Sequence, residues 1–161
     1  MGKFVRSFKT NERPSEKNEQ TNGDSECMSA VRKLALDSHG IFVVHFENGQ
    51  LESYTVNGAK LGSIDAGEKL NAMEIVPGGH TLVTGGEICH VVFRSLHDLE
   101  IKNVLDLGNN CPVQCIAFTS PHENIAQLMF IGMNNGDITV VNKTSKDGGR
   151  KTIDSSAKWW S

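Results

Sequence analysis

From Ala30 to about residue 145, apolar runs of four to seven residues alternate with short polar stretches. The runs are rich in Val, Ile, Leu and Phe, and each is closed by Gly, Asn, Asp or Pro. Their length, and the absence of three-and-four spacing, predict strands joined by turns rather than helices. The pattern also repeats. VRKLALDSHGIFVVHFENGQLESYTVNGAKLGSI starts at Val31, LNAMEIVPGGHTLVTGGEICHVVFRSLHDLEIKNVLDL at Leu70, and VQCIAFTSPHENIAQLMFIGMNNGDITVVNKT at Val113. Each opens on a first run (Leu34 to Leu36, Met73 to Ile75, Ile116 to Phe118), turns, and enters a second (Phe42 to Val44, Leu82 to Thr84, Met129 to Ile131). A glycine turn then leads to a third run (Leu51 to Val56, Val91 to Leu96, Ile138 to Val141). The first two units continue into a weaker, more polar stretch that fits an outer edge strand. In the third, TSPHENIAQ lengthens the first turn, where a surface insertion belongs.

The units start 39 and 43 residues apart, in keeping with the period of propeller blades, roughly 40–45 residues. The expected fold is all-β: an incomplete β-propeller of about three blades, over residues 31–69, 70–112 and 113–145. Residues 1–29 are dominated by Asn, Glu, Lys, Ser, Gln and Thr, with Phe4, Val5, Phe8, Cys27 and Met28 their larger apolar side chains. Such a segment buries too little surface to offset its ordering entropy, so a disordered polar tail is expected. Residues 146–161 form a basic C-terminal tail. The stretch from 143 to 158 carries four Lys and one Arg, and two tryptophans follow. That composition fits a peripheral membrane or partner contact. A frayed tail folding its tryptophans back on the last blade fits it too, and no amphipathic helix period is present.

The grammar of these units resembles the WD-repeat blade over residues 30 to 145. The Gly-His opening and the closing Trp-Asp of that repeat are missing, and Tyr54, Arg94 and Val141 stand where its Trp would be. More specific phrases are IFVVHFENGQLESYTVNGAKL, LVTGGE, VFRSLHDLEI, and MNNGDITVV before a basic tail ending in Trp. With these the chain resembles the last blades of BEACH-domain proteins, most closely the neurobeachin type. In that family a WD-repeat propeller follows a PH-like and a BEACH domain. Its members are scaffolds in vesicle trafficking, membrane dynamics and autophagy. No BEACH domain is contained in these 161 residues, so the scaffold role carries over only in part.

Charge and composition narrow the classes of function. With 16 Lys and Arg against 19 Asp and Glu, the chain has no basic excess for a phosphate backbone, and no nucleic acid partner is expected. No apolar run nears the roughly 18 residues a membrane helix needs. MGKFVRS begins like a myristoylation site, yet Arg6 stands where Ser or Thr is required. Without a secretory signal the expectation is a cytoplasmic protein, peripheral at intracellular membranes at most, with Cys27, Cys89, Cys111 and Cys115 as free thiols. In the same light Asn142-Lys143-Thr144 is only formally a glycosylation sequon.

Two stretches invite chemistry. VTGGE at 83–87 has the glycines of a phosphate loop but neither its Lys nor its following helix, and Glu87 would repel phosphate. Gly85 and Gly86 are expected instead to supply turn conformations, as ENG at 47–49 and NNG at 134–136 do. Cys89, Cys111 and Cys115, with His80, His90 and His97 near them, are ligand types that zinc accepts. They include no Cys-x-x-Cys pair, and Cys115 sits in an apolar run. No Gly-x-Ser-x-Gly elbow exists. His39, beside Asp37-Ser38, and His122 read as polar turn residues, and His45 as a neutral, hydrogen-bonded interior group. The sequence therefore assigns no catalytic, cofactor-binding or metal residue and implies no cofactor. It leads to a non-enzymatic interaction scaffold with protein partners in membrane traffic, and with self-association or added blades to cover open blade faces. The alternative is a small metal-binding or redox protein using Cys89, Cys111, Cys115 and nearby His.

Overall fold

The computed structural model describes residues 29–108, 111–120 and 127–142. The expected polar N-terminal tail, the insertion bearing His122 and the basic C-terminal tail lie outside the described residues. Blade 1 is formed by β1 (Val31–Leu36), β2 (Ile41–Phe46), β3 (Gln50–Thr55) and β4 (Lys60–Asp65). Blade 2 holds β5 (Leu70–Ile75), β6 (Thr81–Gly86), β7 (His90–Ser95) and β8 (Ile101–Asp106). Blade 3 holds β9 (Val113–Phe118), β10 (Leu128–Met133) and β11 (Ile138–Asn142). Within each blade every strand pairs antiparallel with its neighbour in sequence, giving sheets of four, four and three strands. Among the described residues there is no helix.

The blades stack face to face, with β5 approaching β1 on one side and β9 on the other. Alternation within each strand therefore feeds two different interfaces. Val43 and Leu51 of blade 1 join Met73, Leu82, Leu96 and Leu99 of blade 2 in one apolar cluster. Val83 and Val91, on the other face of blade 2, join Val113, Ile116, Met129 and Ile131 of blade 3. A middle strand covered on both sides has no polar face, which is why β2 and β6 read as continuous runs. Polar clasps fix the blades laterally. Ser53 Oγ donates to His97 O at 3.0 Å between blades 1 and 2, and Asn71 Nδ2 donates to Val113 O at 3.1 Å between blades 2 and 3.

Pairing aligns the repeats residue by residue. Tyr54 faces Phe42, Arg94 faces Leu82 and Val141 faces Met129, so all three oppose the second residue of a middle strand. The turns at 47–49 and 134–136 also match. Gly49 and Gly136 have φ of 89° and 87°, and each donates its N–H back across the turn, to Phe46 O and Met133 O.

The expectation for Gly85 and Gly86 is corrected. Both lie inside β6, and the turn is made by Glu87, Ile88 and Cys89. A Cβ on Gly85 would stand 2.7 Å from Val113 Cγ1, and one on Gly86 would meet Lys69 O and come within 2.6 Å of Glu68 Oε2. Close packing, not turn conformation, requires these glycines. The turn itself is held by Glu68, whose Oε2 accepts the Ile88 N–H at 2.8 Å. With Glu68 and Glu87 both at hand, this is no phosphate cradle.

Candidate functional site

The outward face of blade 3 emerges from the register. Val83, Phe93 and Val91 of blade 2 align with Phe130, Val140 and Ile138 of blade 3, being paired in the same order in β6–β7 and β10–β11. In blade 2 these positions pack against blade 3, and Val83 and Val91 are fully buried. In blade 3 they remain apolar yet open: Phe130 is 37% exposed, Val140 40% and Ile138 63%. Ala117 and Cys115 extend the same face and are exposed.

The opposite end of the stack is mixed. On β1, Leu34 and Leu36 are 61% and 58% exposed, although their counterparts Met73 and Ile75 in blade 2 pack onto blade 1. Beside them Phe42, Val44, Phe46 and Tyr54 form a buried cluster, with the Phe42 and Tyr54 rings stacked at 5.5 Å. Glu52 lies buried on this face. Its Oε2 accepts the Tyr54 hydroxyl, and its Oε1 accepts Lys60 Nζ at 2.5 Å and Ser63 Oγ at 3.2 Å.

A polar cluster sits where the first turns of blades 1 and 2 meet. Asp37 Oδ1 accepts the N–H of His39 at 2.9 Å and of Ile41 at 2.7 Å, which fixes the carboxylate. Its Oδ2 is buried, accepts no hydrogen bond, and lies 3.5 Å from His39 Nδ1 and 3.9 Å from His80 Nδ1. The two imidazoles have centroids 4.9 Å apart and are each more than half exposed. The sequence treated His39 as a turn residue and grouped His80 with the cysteines. Their period-like separation, from one first turn to the next, was the signal that joins them.

The remaining sequence candidates are scattered. Among the described residues Cys89, Cys111 and Cys115, with His90 and His97, form no group of three ligands. Cys89 lies in the β6–β7 turn, Cys111 before β9, and Cys115 on the exposed face of blade 3. His90 Nε2 stands 3.6 Å from Glu68 Oε1. His45 is buried as expected, but neither ring nitrogen has a hydrogen-bond partner, which corrects the expectation of a bonded group. Burial lowers its pKa, helped by the charges of Arg32 and Lys33, so the imidazole is held neutral. Arg94 is buried with Nη1 donating to Leu99 O at 3.4 Å, and desolvation lowers its pKa against the opposing pull of Glu68.

Comparison with known proteins agrees with the architecture. No protein-family profile matches the chain. Over 74 residues, 45% of its length, the chain is 34% identical to BEACH domain-containing protein B of Arabidopsis thaliana, and the match spans 3% of that protein. The crystal structure of BamB from Moraxella catarrhalis is similar with a TM-score of 0.53, over 68% of this chain and 31% of that one, at 14% identity. At that identity the likeness shows the fold alone. The chain is an arc of β-propeller blades.

Proposed function

We propose that this chain is a non-enzymatic protein-interaction module, similar to the propeller end of BEACH-type membrane-trafficking scaffolds, and that its third blade seats another blade. The observation that carries this reading is the open apolar face of Phe130, Val140 and Ile138, at positions that pack blade on blade elsewhere in the same chain. Complete burial of such side chains contributes about 1.5–3 kcal/mol each. The occupant is the first blade of a second copy, where exposed Leu34 and Leu36 stand at positions that face a neighbour in blade 2. The contact is head to tail, and two copies would close a ring of six blades. The partial identity with the Arabidopsis BEACH domain-containing protein supports the likeness to BEACH-type proteins, and the proposed placement is cytoplasmic, peripheral at intracellular membranes.

Light scattering over a dilution series tests the contact. The chain should associate at micromolar concentration, and Ile138→Asp with Phe130→Asp should yield a folded monomer. A well-folded wild-type monomer at that concentration refutes the open-face reading.

A further inference from the structure

We propose that Asp37, His39 and His80 form a zinc-type metal site that clamps the first turn of blade 1 to the first turn of blade 2. The ligands are Asp37 Oδ2, His39 Nδ1 and His80 Nδ1, with water completing the set. This goes beyond the interaction reading and does not depend on it.

The carboxylate carries the argument. Asp37's side chain is 3% exposed. One oxygen, Oδ1, is saturated by two backbone N–H groups, and this orients the other, Oδ2, toward both imidazoles. Oδ2 accepts no hydrogen bond. A buried anionic oxygen without a donor is costly, and a cation resolves that cost directly. The backbone N–H bonds to Oδ1 then play the orienting part that outer partners play around metal-bound carboxylates.

Geometry and donor chemistry agree. Tetrahedral zinc with ligands at about 2.0–2.1 Å separates neighbouring ligand atoms by about 3.3–3.4 Å. The separations of 3.5 and 3.9 Å from Asp37 Oδ2 are close to that edge, and one ligand atom from each of the three residues lies within 4.8 Å of the other two. Both imidazoles are exposed enough to close the remaining gap by rotation about their side-chain bonds. The Ser38 hydroxyl touches His39 Nδ1 at a long 3.4 Å, a contact readily given up for a metal bond. Two imidazoles and one carboxylate favour zinc or a neighbouring transition metal over calcium and magnesium, which prefer all-oxygen sets. A protonated histidine beside Asp37 would supply positive charge as well, and the experiment separates the two.

The full chain, stripped of metal and held at neutral pH, is titrated with zinc by calorimetry, and its cobalt(II) complex is read by absorption. The expected result is a single zinc ion per chain at micromolar affinity or tighter, and a cobalt spectrum of nitrogen and oxygen ligands. Zinc should raise Tm. His39→Gln and His80→Gln should each weaken binding by about tenfold or more, and both imidazoles are surface groups whose loss leaves the fold in place. Asp37→Asn, which keeps an acceptor for the two backbone N–H groups, should do the same. Absence of zinc binding at micromolar concentration would overturn the site and leave a histidine–carboxylate pair. So would affinity unchanged in the double histidine variant, or an intense thiolate-to-cobalt band, which would move the ion to the cysteines.

Discussion

Replacing Gly85 with Ala isolates the reason for the paired glycines. The φ of Gly85 is not in the left-handed region, so the backbone accepts Ala, with an intrinsic gain of about 0.5–1 kcal/mol in a regular element. The added methyl, however, falls 2.7 Å from Val113 Cγ1 and 2.9 Å from Val113 Cβ. Carbon atoms are comfortable at about 3.5–4.0 Å, so β9 must retreat by roughly 1 Å from β6. Overpacking of this kind costs typically about 1–3 kcal/mol, which against that gain leaves a net loss of up to about 2.5 kcal/mol. Val113→Ala alone should cost about 1–3 kcal/mol, since it strips two methyls from a fully buried side chain. In the double variant the methyl added at position 85 occupies room that Val113 has vacated. Relief is partial because the contact with the Cβ persists, so the double variant should beat the sum of the singles by about 1 kcal/mol. Urea unfolding followed by the β-sheet circular dichroism signal, at one fixed chain concentration, measures all four proteins. Additivity to within about 0.5 kcal/mol would refute the packing argument. A turn glycine would show that additivity, since its penalty would come from backbone conformation whatever stands at 113.

Two further expectations rest on single residues. Leu99 is buried with φ of 62°, a conformation that costs a non-glycine residue about 1–2 kcal/mol. Leu99→Gly should therefore be less damaging than Leu99→Ala by about 1 kcal/mol in chemical denaturation, the reverse of the ordinary order, and an Ala variant as stable as the Gly variant would remove the strain. His45 is neutral in the fold and its pKa is lowered by burial first, then by Arg32 and Lys33. The unfolded chain binds the proton more readily, so the stability contributed by the neutral ring is present above about pH 6.5 and lost as pH falls through the folded value, at no more than about 1.4 kcal/mol per pH unit. His45→Leu should flatten that part of the stability profile, and an unchanged slope between pH 7 and 5 would show that the ring is not the group responsible.

The blade architecture was legible because middle strands buried on both faces leave a run with no polar interruption, as in Phe42-Val43-Val44. Strand pairing confirms that Tyr54, Arg94 and Val141 are equivalent, although none of them is Trp. Glycine was harder to read, because one residue type serves two needs. At Gly49 and Gly136 the sequence around it demands a positive φ. At Gly85 the demand comes from Val113, on the next blade, and no local pattern announces that neighbour. The exposed face of blade 3 was legible for the opposite reason: Phe130 and Ile138 keep the apolar character of their buried counterparts. The cluster of Asp37, His39 and His80 escaped because His39 was read as a polar turn residue of its own unit and His80 was grouped with the cysteines of the next. In a repeat fold, equivalent turns of successive units are neighbours on one rim, so residues a full period apart are in contact. Asp37 and His39 lie in the β1–β2 turn and His80 in the β5–β6 turn, and that placement lets two ordinary loops share one carboxylate oxygen. Chemistry in such a chain is therefore to be looked for between equal positions of adjacent blades, where neither blade alone supplies more than part of a site.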